Sequence, residues 1–196
     1  MWKHLRAADY AAARWSGGTT TQLAIAPEGA DYGARDFLWR VSSATVELEQ
    51  SDFTALPDYR RLIAALEGEI RLRHNGGEEL RLSPFQVHAF DGADETRSFG
   101  RCRDFNLMLR KGAAEGEMEA LLPEGSLELA ADPRGGVQLL CCVRGLCLTE
   151  SGTERAALCP GESLLTEGTR RIRLAPGDGA ALMRCRMRET GKEEIK

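Results

Sequence analysis

Apolar and polar residues alternate along short stretches of this chain, and Gly, Pro, Asn or Asp punctuates most of the gaps between them. A period of two marks half-buried β-strands. The pattern predicts strands near 19–26, 37–49, 60–66, 69–74, 78–82, 86–90, 96–99 and 103–110 in the first half of the chain. In the second half it predicts them near 117–122, 126–130, 136–143, 146–150, 154–158, 163–166, 170–175 and 179–188. No long stretch holds an i, i+3, i+4, i+7 apolar pattern free of Gly or Pro; residues 5–13, with Ala11-Ala12-Ala13, allow one short helical turn at most. Asn75-Gly76-Gly77 falls between two strands and supplies residues that accept the positive φ of a hairpin turn.

The pattern occurs twice. Leu66-Glu67-Gly68-Glu69-Ile70-Arg71-Leu72 returns as Val143-Arg144-Gly145-Leu146-Cys147-Leu148. Pro84 is answered by Pro160, Gly92 by Gly168, and Phe105-Asn106-Leu107-Met108 by Ala181-Leu182-Met183-Arg184, all at an offset of about 76 residues. Two copies of one small β-unit follow, with a boundary between about 111 and 126: residues 1–112 as an amino-terminal barrel and 113–196 as a smaller carboxy-terminal one. Many short antiparallel strands in a duplicated arrangement predict an all-β chain of two jelly rolls, whose closure protects strand edges. The Leu66-Glu67-Gly68-Glu69 and Cys159-Pro160-Gly161-Glu162 turns are cupin-like, so the expected architecture is a bicupin.

Composition narrows the function. A chain of 196 residues with 42% apolar content can bury a core in each unit. Net charge is −4 and neither half carries a basic excess, so nucleic acid is not an expected partner. No apolar run is long enough for a membrane span, and Met1-Trp2-Lys3-His4-Leu5-Arg6 lacks the apolar stretch of a secretory signal; a cytoplasmic protein is expected, with no membrane partner. The six cysteines form no Cys-x-x-Cys pair and mostly sit in apolar strands, where they are expected to be buried free thiols.

Metal-dependent cupins need two or three histidines and a carboxylate converging from neighbouring strands. The stretch where the histidine pair would stand, Asp52-Phe53-Thr54-Ala55-Leu56-Pro57-Asp58-Tyr59, has none. Only His4, His74 and His88 exist; His74 adjoins a turn and is expected in solvent, and His88 is a lone strand histidine. The expectation is a barrel with no metal and no cofactor. No phosphate-binding glycine loop and no Gly-x-Ser-x-Gly elbow is present either.

Three segments carry candidate chemistry. Arg14-Trp15-Ser16-Gly17-Gly18-Thr19-Thr20-Thr21-Gln22 joins an amphipathic ring to glycines and hydroxyls, which suits either an anion-binding loop or a well-capped turn. In Phe37-Leu38-Trp39-Arg40-Val41-Ser42-Ser43-Ala44-Thr45-Val46 the alternation puts Leu38, Arg40, Ser42, Ala44 and Val46 on one face. If that face points inward, Arg40 needs an anionic partner, either a ligand carboxylate or Asp104. Arg103-Asp104-Phe105-Asn106-Leu107-Met108-Leu109-Arg110 likewise puts Asp104, Asn106 and Met108 together, with Asn106 able to read an amide or carboxylate or to serve a structural hydrogen bond.

In these segments, together with Phe53-Thr54-Ala55-Leu56-Pro57, Leu66-Glu67-Gly68, Pro84-Phe85 and Phe90-Asp91-Gly92, the chain resembles the HutD/Ves family across residues 14–108. The resemblance implies a metal-free bicupin often encoded with the histidine-utilisation pathway and regarded as accessory or regulatory, without established catalysis. Many members read Trp-Lys-Asn-Gly-Gly-Gly where this chain has Ala13-Arg14-Trp15-Ser16-Gly17-Gly18. The expected function is binding of a small carboxylate, such as an amino-acid catabolite, by Trp15, Ser16, Thr20, Arg40, Ser42, Asp104 and Asn106. The alternative is a metal-free isomerase or lyase with Asp104 or His88 as general base. Pairing of exposed strand edges makes a homodimer the expected assembly, by analogy with other cupins.

Overall fold

The alternation is realised as strands throughout a computed structural model, which describes residues 1–191. Among the described residues, nineteen strands and one 3-10 turn succeed one another. The first are β1 (Trp2–Leu5), β2 (Ala11–Trp15), β3 (Gly18–Ala26), β4 (Trp39–Val46), β5 (Gln50–Asp52), β6 (Tyr59–Gly68) and β7 (Ile70–His74). Next come β8 (Glu79–Leu82), β9 (Val87–Asp91), β10 (Thr96–Phe99), β11 (Cys102–Arg110), β12 (Ala114–Leu121) and β13 (Leu127–Leu129). The last are β14 (Val137–Arg144), β15 (Cys147–Ser151), β16 (Glu154–Leu158), β17 (Ser163–Glu167), β18 (Ile172–Pro176) and β19 (Ala181–Glu189). The predicted turn at Asn75-Gly76 has the required positive φ, 52° and 70°.

The helical turn allowed over residues 5–13 shrinks to Ala7–Asp9, because Ala11–Trp15 pairs as an edge strand with β3. Strands Trp2–Leu5 and Gln50–Asp52 were not anticipated; both are short edges whose existence depends on a partner far away in sequence. β1 pairs with β17, so Met1–Tyr10 clusters with Gly116–Glu189, and Ala11–Glu115 forms the body of the other unit. A division at residue 112 therefore misplaces the first ten residues, since no local pattern announces a pairing across more than 150 positions.

Each unit is two antiparallel sheets. The amino-terminal unit has a six-stranded sheet, β2-β3-β4-β11-β6-β9, and a four-stranded one, β5-β10-β7-β8. The carboxy-terminal unit has β1-β17-β14-β19-β12 and β13-β18-β15-β16. Backbone pairing leaves edge strands in every sheet, so the expected closed barrels are open sandwiches instead. The cores sit between the sheets: Ile63, Ala65, Ile70, Leu72 and Leu82 in one unit, Leu140, Cys142, Leu158, Leu164 and Leu182 in the other. All six cysteines are free thiols, five of them buried. Among the described residues no helix is long and apolar enough to cross a membrane.

Candidate functional site

β4 lies between β3 and β11, which makes it an interior strand of the six-stranded sheet. Its alternation carries Arg40, Ser42, Ala44 and Val46 to the inner face, where they line a cavity of about 370 Å³, within the usual size of ligand sites. Register supplies the rest of the floor. Arg40 stands opposite Met108, Met108 opposite Arg61 and Arg61 opposite Phe90, in one row across β4, β11, β6 and β9. Asn106 stands opposite Ser42, and Asp104 opposite Ala44.

Both arginines are nearly out of solvent, 7% and 6% exposed. Arg40 donates from Nε to Gln22 Oε1 at 2.7 Å and from Nη1 to Ser42 Oγ at 3.1 Å, with its guanidinium 4.5 Å from the centre of the Tyr32 ring. Arg61 lies between Phe53 and Phe90, 4.8 and 5.1 Å from their ring centres, and makes a long 3.4 Å hydrogen bond to the Thr54 carbonyl. Neither guanidinium has an ion pair among the described residues. The pairing of Arg40 with Asp104 that the sequence left open does not form: Asp104 Oδ1 accepts the Ala44 N–H at 3.1 Å and Asn106 Nδ2 at 2.7 Å.

Burial sets the electrostatics. It pushes the Asp104 carboxyl up to about 7, against the lowering pull of the Ala44 N–H, the Arg61 charge and Asn106. It pulls Arg61 down to about 10, helped by repulsion from Arg40, so Arg61 remains a cation at neutral pH. Arg40 is lowered for the same reason. The cavity thus holds two buried cations against one carboxyl that is only partly ionised near pH 7. Two further buried atoms in the site, Arg61 Nε and Asn106 Oδ1, have no hydrogen-bond partner in the protein.

Of the residues expected from sequence, Trp15, Thr20, Arg40, Ser42, Asp104 and Asn106 meet at this cavity. Ser16 does not: it sits exposed in the Ser16-Gly17 tip joining β2 to β3. A Cβ at Gly17 would come within 2.1 Å of the Trp15 ring that lies across it, so that ring would have to shift. Arg61, Tyr32, Phe53, Thr54 and Met108 also line the cavity, and Gln22 holds Arg40. Arg61 was missed because Leu62-Ile63-Ala64-Ala65 is apolar on both faces, so periodicity hides which way its neighbour points.

The histidines also differ from expectation. His74 is half-buried rather than solvated, and its Nε2 lies 3.0 Å from His88 Nε2. Neither ring lines the arginine cavity, whereas Asp104 does.

The profile of the HutD family matches residues 7–183. No curated protein gives a significant sequence match. Among solved structures, the chain is similar to a conserved protein of unknown function from Pseudomonas aeruginosa PAO1, at 29% identity and a TM-score of 0.84 over 95% of this chain and 98% of that one. It is also similar to HutD from Pseudomonas fluorescens SBW25, a structure described as a formate condition, at 22% identity and a TM-score of 0.78 over 97% and 100%. The pirin YhhW from Escherichia coli has the same fold at 10% identity and a TM-score of 0.69 over 98% and 100%, and a cupin 2 barrel protein from Leptotrichia buccalis is similar at 8% identity, a TM-score of 0.57 and 91% of each chain.

Proposed function

The chain belongs to the HutD family, and from the cavity just described we propose that its amino-terminal unit is a receptor for a small carboxylate, held between Arg40 and Arg61. The observation that carries this is two buried guanidiniums without a carboxylate partner on one cavity wall. Burying an uncompensated charge costs several kcal/mol per ion, which an anionic ligand offsets. Arginine forks also match a carboxylate bidentately. Trp15, Tyr32, Phe53 and Met108 supply apolar walls for the carbon skeleton, while Asn106 Oδ1 awaits an N–H or O–H of the ligand. We read the two compact units as paired cupin-like jelly rolls, and the protein as an accessory or regulatory binding component of histidine utilisation in the cytoplasm.

Isothermal titration with urocanate, formiminoglutamate, formylglutamate and formate tests the reading, with Trp15 emission as a second readout. At least one member of the panel is expected to bind, and Arg40→Ala to lose that binding. Silence across the panel, or unchanged affinity in Arg40→Ala, sinks it.

Asp104 favours a second reading. A carboxyl raised to about 7 in a cavity lined by two arginines is suited to proton abstraction next to a carboxylate, as an isomerase or lyase requires. NMR would then show a panel compound being converted, with conversion lost in Asp104→Asn.

A further inference from the structure

His74 ends β7 and His88 lies in β9, in different sheets of the amino-terminal unit, yet their Nε2 atoms are 3.0 Å apart. Two neutral imidazoles meet this way only if one carries its proton on Nε2. The surroundings decide which. Thr96 Oγ1 donates its proton to the Asp94 carbonyl at 3.2 Å and so accepts from His74 Nδ1 at 2.8 Å. His74 therefore carries its proton on Nδ1, and its Nε2 lone pair accepts the His88 Nε2–H; a hydrogen bond from the other ring nitrogen fixes metal-binding histidines in the same tautomer. The His88 ring lies parallel to that of Phe90, 7° between planes with ring centres 5.8 Å apart.

We propose that His74 and His88 form a two-histidine site for a first-row transition metal, separate from the arginine cavity. The two nitrogens are close enough to share one ion at metal–nitrogen bonds of about 2.0–2.1 Å once the rings turn out of their mutual hydrogen bond. Imidazole donors favour copper(II) over nickel(II) and zinc(II) in the usual order of divalent affinities. On binding, His88 shifts its proton from Nε2 to Nδ1 through solvent and both Nε2 lone pairs face the ion, with water completing the coordination. The negative charge of Asp94 acts on both rings and favours a cation; the charge of Arg61 acts on His74 and opposes one. Asp94 itself is held by Asn75 and by the Asp91 N–H, so it neutralises from a distance. Among the described residues no group of three or more donors converges anywhere, so this pair is a weaker, more open site than a three-histidine cupin centre.

The full chain is titrated with copper(II) and with nickel(II) in carboxylate-free buffer, followed by calorimetry and, for copper, by electron paramagnetic resonance. One equivalent with hyperfine structure from two nitrogens is expected, with zinc(II) binding more weakly. His88→Gln and His74→Gln should each weaken binding at least tenfold while retaining the wild-type circular dichroism. His4→Gln is the control, because His4 and Glu162 form a half-buried pair at 3.0 Å that offers a metal two other donors. Absence of a one-equivalent copper complex, unchanged binding in His88→Gln, or loss of binding in His4→Gln overturns the proposal; if one histidine variant misfolds, the other decides.

Discussion

Each unit buries an arginine beside a glutamine, and the two arginines are completed differently. In the carboxy-terminal unit Arg184 donates to Gln138 Oε1 at 3.1 and 2.9 Å and to Glu119 Oε1 at 3.2 Å. Its charge is matched within the chain. In the amino-terminal unit Arg40 finds Gln22 and Ser42 but no carboxylate, and Arg61 adds a second unmatched charge. A buried cation that the protein neutralises is part of the architecture; one left open calls for an anion from outside.

Replacing the arginines in turn should separate these roles. After the loss of binding in Arg40→Ala, the largest effect is expected for Arg61→Met: carboxylate affinity should fall about 100-fold, because a charge-assisted hydrogen bond is lost, while the ligand-free melting temperature holds or rises as an uncompensated buried charge disappears. Calorimetry and thermal unfolding on the same sample check both halves, and a large drop in melting temperature would mean that Arg61 is structural after all. Arg184→Met should do the reverse. It leaves the buried Gln138 side chain short of partners and should cost about 2 kcal/mol in denaturant unfolding, with carboxylate binding intact.

The repeated glycines should behave alike in both units. Gly68 and Gly145 have φ of 73° and 74°, and a Cβ at either would meet backbone at 2.7 or 2.8 Å. Gly68→Ala and Gly145→Ala are each expected to cost about 1–2 kcal/mol, measured by urea unfolding; a tolerant position would show that the duplicated turn can relax in one copy.

The smallest effect is that of pH. Asp104 is raised in the folded state from an ordinary carboxylate value to about 7, so the folded form holds its proton more tightly than the unfolded chain. The stability it contributes is present at low pH and declines as pH rises from about 4 to about 7. A bound anion favours protonated Asp104, so carboxylate affinity should fall roughly three- to tenfold between pH 6 and 8, with proton uptake on binding. Asp104→Asn should flatten that profile; an unaltered slope would place the linked group elsewhere.

Local pattern accounts for much of this. Alternation was enough to put Arg40 with Ser42 on one face of β4 and Asp104 with Asn106 on one face of β11, because successive side chains of a strand point to opposite sides whatever the partner; the register between the two strands then brings the pairs together. The repeat at Gly68 and Gly145, and at Gly92 and Gly168, was legible because each is a place where backbone approaches too closely for a side chain: a Cβ at Gly92 would lie 2.2 Å from the Leu56 carbonyl oxygen, and one at Gly168 would lie 2.7 Å from that of Gly135. Those shared marks describe the fold common to both copies. They say nothing of the cavity between Arg40 and Arg61.

Composition and periodicity, then, determined by themselves an all-β chain, its repeated marks and which residues of each central strand share a face, since these follow from two-residue spacing and from steric limits at single positions. Tertiary structure alone decided that Arg61 shares a cavity with Arg40, that Asp104 leaves both unpaired, that His74 meets His88, and that β1 joins the other unit. Each of these depends on which strands become neighbours and how two sheets face one another, and such distances are set by the packing of residues far apart along the chain.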